Sequence, residues 1–152
     1  MNDYEYFDIG LKSEILAGLV MGGTQEYNIN PLKLPSLNPP IYNLVVTHYE
    51  QAEKYHPQSK ELRLCYPDST LEFVNKKKLF KIVDEAHQTW SNGGNVFVRC
   101  HAGLNRSGLT VALILMREDY EPSDAINLIR QKRSHHALHN HHYVAFLESM
   151  KD

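Results

Sequence analysis

Apolar residues along this chain fall into short runs with two different rhythms. Glu14–Gly23 is mostly apolar and reads as a short strand closed by glycines. Ile41–Val46 is a β-branched apolar run that suits a buried strand. Leu62, Leu64 and Tyr66 alternate with Arg63 and Cys65, which predicts another strand. From Asn75 the period lengthens: Leu79, Ile82, Val83, Ala86 and Trp90 share one face of a helix that stops at Asn92-Gly93-Gly94. Val96–Val98 is again a strand. The helix expected from Ser107 to about Tyr120 is apolar on nearly every side, so it belongs in the middle of the core. Pro122, Ser123 and Asp124 start a further helix that buries Ala125, Ile126, Leu128 and Ile129. Tyr143, Val144, Phe146, Leu147 and Met150 mark a last one. Asn30–Pro40, with four prolines, is a loop, and the polar Thr47–Gln58 is a loop or short helix. Strands alternating with helices predict an α/β fold, a mixed sheet flanked by helices. Without a repeat or an interdomain linker, residues 1–152 form one domain.

Composition narrows the function classes. The chain is 42% hydrophobic and 22% charged, with a formal charge of −2, so it has no general attraction for nucleic acid or anionic membrane. Two cysteines argue against a disulfide scaffold and fit a reducing compartment. Met1–Gly10 is acidic and aromatic, unlike a signal peptide. The longest apolar run, Leu109–Met116, is too short to span a bilayer. A soluble, cytoplasmic protein is expected.

Candidate chemistry gathers where the Val96–Val98 strand meets the apolar helix, in Arg99-Cys100-His101-Ala102-Gly103-Leu104-Asn105-Arg106-Ser107-Gly108. A tight loop followed by a helix N-terminus points backbone N–H groups inward and favours an anion. The same positive potential favours the thiolate of Cys100, a nucleophile at the floor of such a cradle. Arg106 offers a planar fork for two phosphate oxygens. Gly103 allows the backbone to turn where a Cβ would obstruct the phosphate. The Ser107 hydroxyl can donate to the cysteine sulfur.

This Cys-x5-Arg-Ser arrangement resembles the loop of the cysteine-based protein tyrosine phosphatases, written HCxxGxxR(S/T), and the compact dual-specificity type in particular. The resemblance extends to Glu14–Gly22, similar to the family's opening strand, and to Ala125–Arg133, His139-Asn140 and Phe146-Leu147, similar to its closing helices. It implies the fold of that family, a central mixed sheet flanked by helices. One residue departs from the pattern: Arg99 stands where the family usually carries histidine, keeping a positive charge near the cysteine. The resemblance also implies a general acid about as far before the cysteine as Asp68, which precedes Cys100 by 32 residues. Glu72 is the nearest competitor for that role.

The implied catalytic set is Cys100, Arg106, Asp68 and Ser107, with His101, Ala102, Gly103, Leu104, Asn105 and Arg106 binding phosphate and no metal or other cofactor required. The expected substrate is a protein phosphorylated on tyrosine, with serine and threonine as further acceptors. No stable nucleic-acid or membrane partner is expected. Asn105 resembles a variant loop found in RNA 5′-triphosphatases of the same superfamily, so a non-protein phosphate is the alternative within this enzyme class. An inactive phosphate-binding module is the alternative outside it. The run His135–His142 contains no cysteine or carboxylate and is read as a solvated loop, part of which rims the site. His101 could add positive charge below about pH 6.5. Cys65 is read as a plain strand cysteine, with a disulfide to oxidised Cys100 as the alternative. Lys76, Lys77, Lys78 and Lys81 form the wet face of their helix.

Overall fold

The computed structural model describes residues 10–24 and 40–150. Five strands form one sheet: β1 (Lys12–Leu16), β2 (Leu19–Gly22), β3 (Leu44–Thr47), β4 (Lys60–Arg63) and β5 (Val96–Arg99), in the order β1-β2-β5-β3-β4. β1 and β2 pair antiparallel and every other pairing is parallel, so the sheet is mixed. The single strand expected at Glu14–Gly23 is therefore the heart of a hairpin. Its turn, Ala17-Gly18, is hidden within the apolar run, and Gly18 adopts the φ of +83° that the reversal needs. The segment after β3 is irregular, without a short helix. Of the expected proline loop, only Pro40 falls within the described residues.

Four α-helices follow: α1 (Lys76–Ser91), α2 (Arg106–Met116), α3 (Pro122–Lys132) and α4 (His141–Ser149). Asn75 caps α1 by accepting from the Lys78 amide at 3.0 Å, and Gly93 follows its end at φ +92°. α2 stops before the expected Tyr120, because the chain reverses through Asp119 at φ +65° to reach Pro122. α4 begins ahead of its apolar face, where Asn140 accepts from the amides of His142 and Tyr143.

Strand periodicity divides the core. Leu19, Met21, Leu44, Val46, Val96 and Val98 share one cluster with the apolar faces of all four helices, whereas Val20, Val45 and Phe97 meet Tyr42 and Tyr55 on the other side. α2 is buried from Ser107 through Leu115. A helix that deep is held firmly, and so is whatever sits at its first turn.

Candidate active site

β5 lies in the middle of the sheet, and its C-terminal end runs through residues 100–105 into α2. Parallel strands flank it there, the usual place for a ligand in an open α/β sheet. The carbonyls of residues 101–105 are all engaged, those of 101–104 by groups outside the loop. His101 O accepts from Thr24 N at 2.8 Å, Leu104 O from Leu138 N at 3.0 Å and Asn105 O from Leu109 N at 2.8 Å. Arg133, itself buried, donates to Ala102 O at 3.3 Å and Gly103 O at 3.0 Å. A trans peptide sets each N–H opposite the preceding carbonyl, so the amides of residues 102–106 face the opposite way, into the loop. α2 also lacks a side-chain cap, which leaves its first N–H groups open to an anion.

Gly103 has a different role from the one its position suggests. Its φ is +76°, and a Cβ there would come within 2.4 Å of the Gly22 carbonyl carbon and 2.6 Å of Gly23 N. The glycine admits strand β2 against the back of the loop; the expected clearance is for backbone, not for phosphate.

Inside the loop, Cys100 and Ser107 are both buried, with Sγ and Oγ 3.4 Å apart. Arg106 Nη1 donates to His48 O at 3.2 Å and Tyr66 O at 3.1 Å, which fixes the guanidinium plane. Its Nε is buried with no hydrogen-bond partner among the described residues. A cavity of about 230 Å³ opens beside it, lined by Tyr49, Glu50, Cys65, Tyr66, Pro67 and Arg106. Tyr49 stacks on the His101 ring at 4.5 Å and lies 5.8 Å from the Arg106 guanidinium carbon. Asp68, in the segment after β4, accepts from the Asn105 side chain at 2.8 Å, so its carboxylate stands against the end of the loop. The structure thus brings Cys100, Ser107, Arg106 and Asp68 together. Glu72 is exposed in a 3-10 turn, Leu71–Phe73, where it accepts from the Thr70 hydroxyl.

The family model for the dual specificity phosphatase catalytic domain matches residues 41–152. The chain belongs to that family. A protein of Invertebrate iridescent virus 6 named as a tyrosine phosphatase, 123R, is 39% identical over 57 residues, which cover 37% of this chain and 40% of the viral protein. The match thus spans well under half the length of that curated relative. Among solved structures, human DUSP28 superposes with a TM-score of 0.69 at 18% identity, covering 90% of this chain and 95% of that one. PTPMT1 in complex with PI(5)P gives 0.68 at 20% identity, covering 91% and 93%. At such identity these two likenesses speak for the fold.

Arg99 of this dual-specificity phosphatase domain does not point toward Cys100. Its Nε donates to Thr47 Oγ1 at 3.1 Å, an Nη2 donates to the Glu53 carbonyl, and Nη2 lies 3.5 Å from the Glu61 carboxylate. Residues alternate along β5, so Arg99 and Cys100 leave the strand on opposite sides. Burial pushes the Glu61 carboxyl up, but donation from the Tyr55 amide and the Thr47 hydroxyl, together with Arg99 and Arg63, outweighs it and holds the group below the ordinary carboxylate range.

A buried imidazole behind the site comes instead from His48, just after β3. His48 is fully buried, its Nδ1 is 2.7 Å from Leu64 O and its Nε2 is 2.7 Å from Thr110 Oγ1. A carbonyl only accepts, so Nδ1 carries the hydrogen and Nε2 accepts from the hydroxyl. Burial, aided by the Arg106 charge and opposed by the Leu64 bond, lowers this histidine to about 4. Burial and Arg106 also lower His101, so its ring contributes less positive charge than an ordinary imidazole. Sequence reasoning missed the roles of His48 and Arg133. The available signal was a histidine closing a run of buried apolar positions.

The His135–His142 segment is only partly solvated. Ala137 and Leu138 are fully buried, and Leu138 packs over Gly108 at the start of α2. Cys65 is exposed and both cysteines are free thiols. Lys76, Lys77, Lys78 and Lys81 are exposed on α1 as expected. Among the described residues, no helix is long and apolar enough to cross a membrane.

Proposed function

We propose that this domain hydrolyses phosphate monoesters on protein tyrosine, and on serine and threonine as further acceptors, through a cysteinyl-phosphate. The observation that carries the reading is the buried Arg106 Nε, unpartnered among the described residues, in a loop that starts at the buried Cys100 thiol and whose carbonyls at residues 101–105 are all engaged. An unpaired guanidinium N–H is costly unless a ligand completes it. A tetrahedral dianion fits both the fork and the ring of amides.

The chemistry follows from these positions. Cys100 thiolate attacks phosphorus as the ester P–O bond breaks, and Asp68 gives its proton to the leaving oxygen. The products are an S–P bond, a free hydroxyl compound and the Asp68 carboxylate. Water then attacks phosphorus, Asp68 takes one of its protons, and the sulfur leaves as thiolate with the Ser107 hydroxyl donating to it. Arg106 and the amides of residues 101–106 hold the three equatorial oxygens throughout. The Tyr49–His101 stack at the entrance favours an aromatic ester, and Glu50 beside it disfavours further phosphates on the same ligand. Asn105, the residue that suggested an RNA triphosphate, is engaged with Asp68. Two free cysteines suit a cytoplasmic setting.

Turnover of para-nitrophenyl phosphate tests the activity. Cys100→Ser should abolish it while inorganic phosphate still binds; an unchanged kcat in that variant would end the covalent mechanism. Phosphotyrosine, phosphoserine and phosphothreonine peptides, a phosphoinositide and a triphosphorylated RNA then rank the substrates. The highest kcat/KM should fall on the phosphotyrosine peptide.

A further inference from the structure

Asp68 sits on an irregular segment, so its direction depends on what holds it from outside. Two side-chain amides do. Asn105 Nδ2 donates to one carboxylate oxygen at 2.8 Å and Asn140 Nδ2 donates to the other at 2.7 Å. Asn105 closes the phosphate loop, whereas Asn140 precedes α4, far along the chain. The two are themselves joined, because the Asn140 amide donates to Asn105 Oδ1 at 3.0 Å. Asn140 Nδ2 also donates to Ser69 O at 3.0 Å, and its Oδ1 accepts from the His142 and Tyr143 amides at 3.0 and 3.4 Å. His139 completes the cluster. Its Nδ1 lies 2.9 Å from the His136 carbonyl and therefore carries the hydrogen, leaving Nε2 to accept from Asn105 Nδ2 at 3.1 Å. Every partner agrees with one orientation of each amide.

We propose that Asn140, acting with Asn105, is a positioning residue for the proton-donating carboxyl of Asp68, an inference that rests on the acid role given to Asp68 above. Capping α4 needs only a side-chain oxygen, which serine or aspartate supplies equally well. The NH2 group does something else: it ties residues 68 and 69 to the start of α4 and, through Asn105, to the phosphate loop. As the proton leaves for the ester oxygen, the charge left on Asp68 is met by two N–H donors already in place. Asn140 makes no contact with Cys100 in this arrangement, so its effect belongs to protonation of the leaving group and not to attack by sulfur.

Asn140→Ser in the full chain separates these functions, since it keeps a capping oxygen and removes the NH2 group. With a phosphotyrosine peptide, whose leaving phenol is a weak acid, kcat should fall by about 10–10²-fold, the scale of a misplaced catalytic group. With an aryl phosphate whose phenol is strongly acidic, the loss should stay within about threefold, because little proton donation is needed. Alkylation of Cys100 by iodoacetate should be unchanged. In an Asp68→Ala background the substitution should cost nothing further. Asn140→Thr, which also keeps a capping oxygen and removes the NH2 group, should give the same split and guards against a variant that merely folds poorly. Equal losses on both esters, or a further loss in the Asp68→Ala background, would make Asn140 structural and overturn the proposal. Asp68→Ala without any dependence on the leaving group would remove the acid itself, and the proposal with it.

Discussion

The side chain before Cys100 shows how far charge alone can mislead. Arg99 is cationic, adjacent to Cys100 in sequence and nearly buried, yet its partners are Thr47, the Glu53 carbonyl and Glu61 on the far side of β5. Removing it leaves the poorly exposed Glu61 carboxylate short of a partner, and breaking a buried pair of this kind costs about 3 kcal/mol. Arg99→Ala should therefore lower the urea midpoint clearly while leaving the rate of Cys100 alkylation near that of the parent. Slower alkylation without loss of stability would return Arg99 to the environment of the Cys100 thiol. At this scale, legibility follows sequence distance. Cys100, Arg106 and Ser107 could be read because their chemistry lies within one loop and one helical turn. Asp68 could be placed only through the spacing of a resembling family. The roles of His48, Arg133 and Asn140 could not be read because each acts through contacts with residues far along the chain, and nothing in a linear pattern ranks one polar residue above another.

At the scale of elements, the loop of residues 100–105 depends on strand β2 as much as on its own residues. Thr24, Gly22 and Gly23 back the loop, and Gly103 is the point of closest approach. Gly103→Ala would place a Cβ at 2.4 Å from strand backbone and hold alanine at a φ of +76°. The backbone conformation alone costs about 1–3 kcal/mol, and the collision adds to it. We expect a loss of stability above about 2 kcal/mol by urea unfolding, with inorganic phosphate no longer protecting Cys100 from iodoacetate. Retained protection would mean that the loop tolerates displacement from β2. α1 was legible because its cap, apolar face and stop signal all agree. The hairpin was not, because Ile15 through Met21 is one apolar run and a two-residue turn within it leaves no polar mark. The limits of α2 were likewise blurred, since an all-buried helix has no face whose period could show where it ends.

Across the whole molecule, one buried imidazole joins parts that sequence analysis treated separately. The His48 ring bridges the segment after β4, through Leu64, to the middle of α2, through Thr110, while its own carbonyl holds Arg106. Protonation in place is unfavourable, as the value of about 4 expresses, whereas an unfolded chain takes up the proton near the ordinary value of about 6.5. Between those limits the unfolded state binds more protons than the folded one, so stability rises with pH. The stabilisation is present in full above about pH 6.5 and is lost progressively as pH falls toward 4. From pH 7.5 to 4.5 this group alone should remove about 2–3 kcal/mol, taking 1.36 kcal/mol for each unit of difference. The lowered His101 adds loss in the same direction. His48→Gln retains a donor and an acceptor but cannot titrate. Urea unfolding at both pH values should therefore show a pH-dependent loss about 2–3 kcal/mol smaller in the variant than in the parent. Equal losses would assign the acid sensitivity to other groups and leave His48 as a neutral strut.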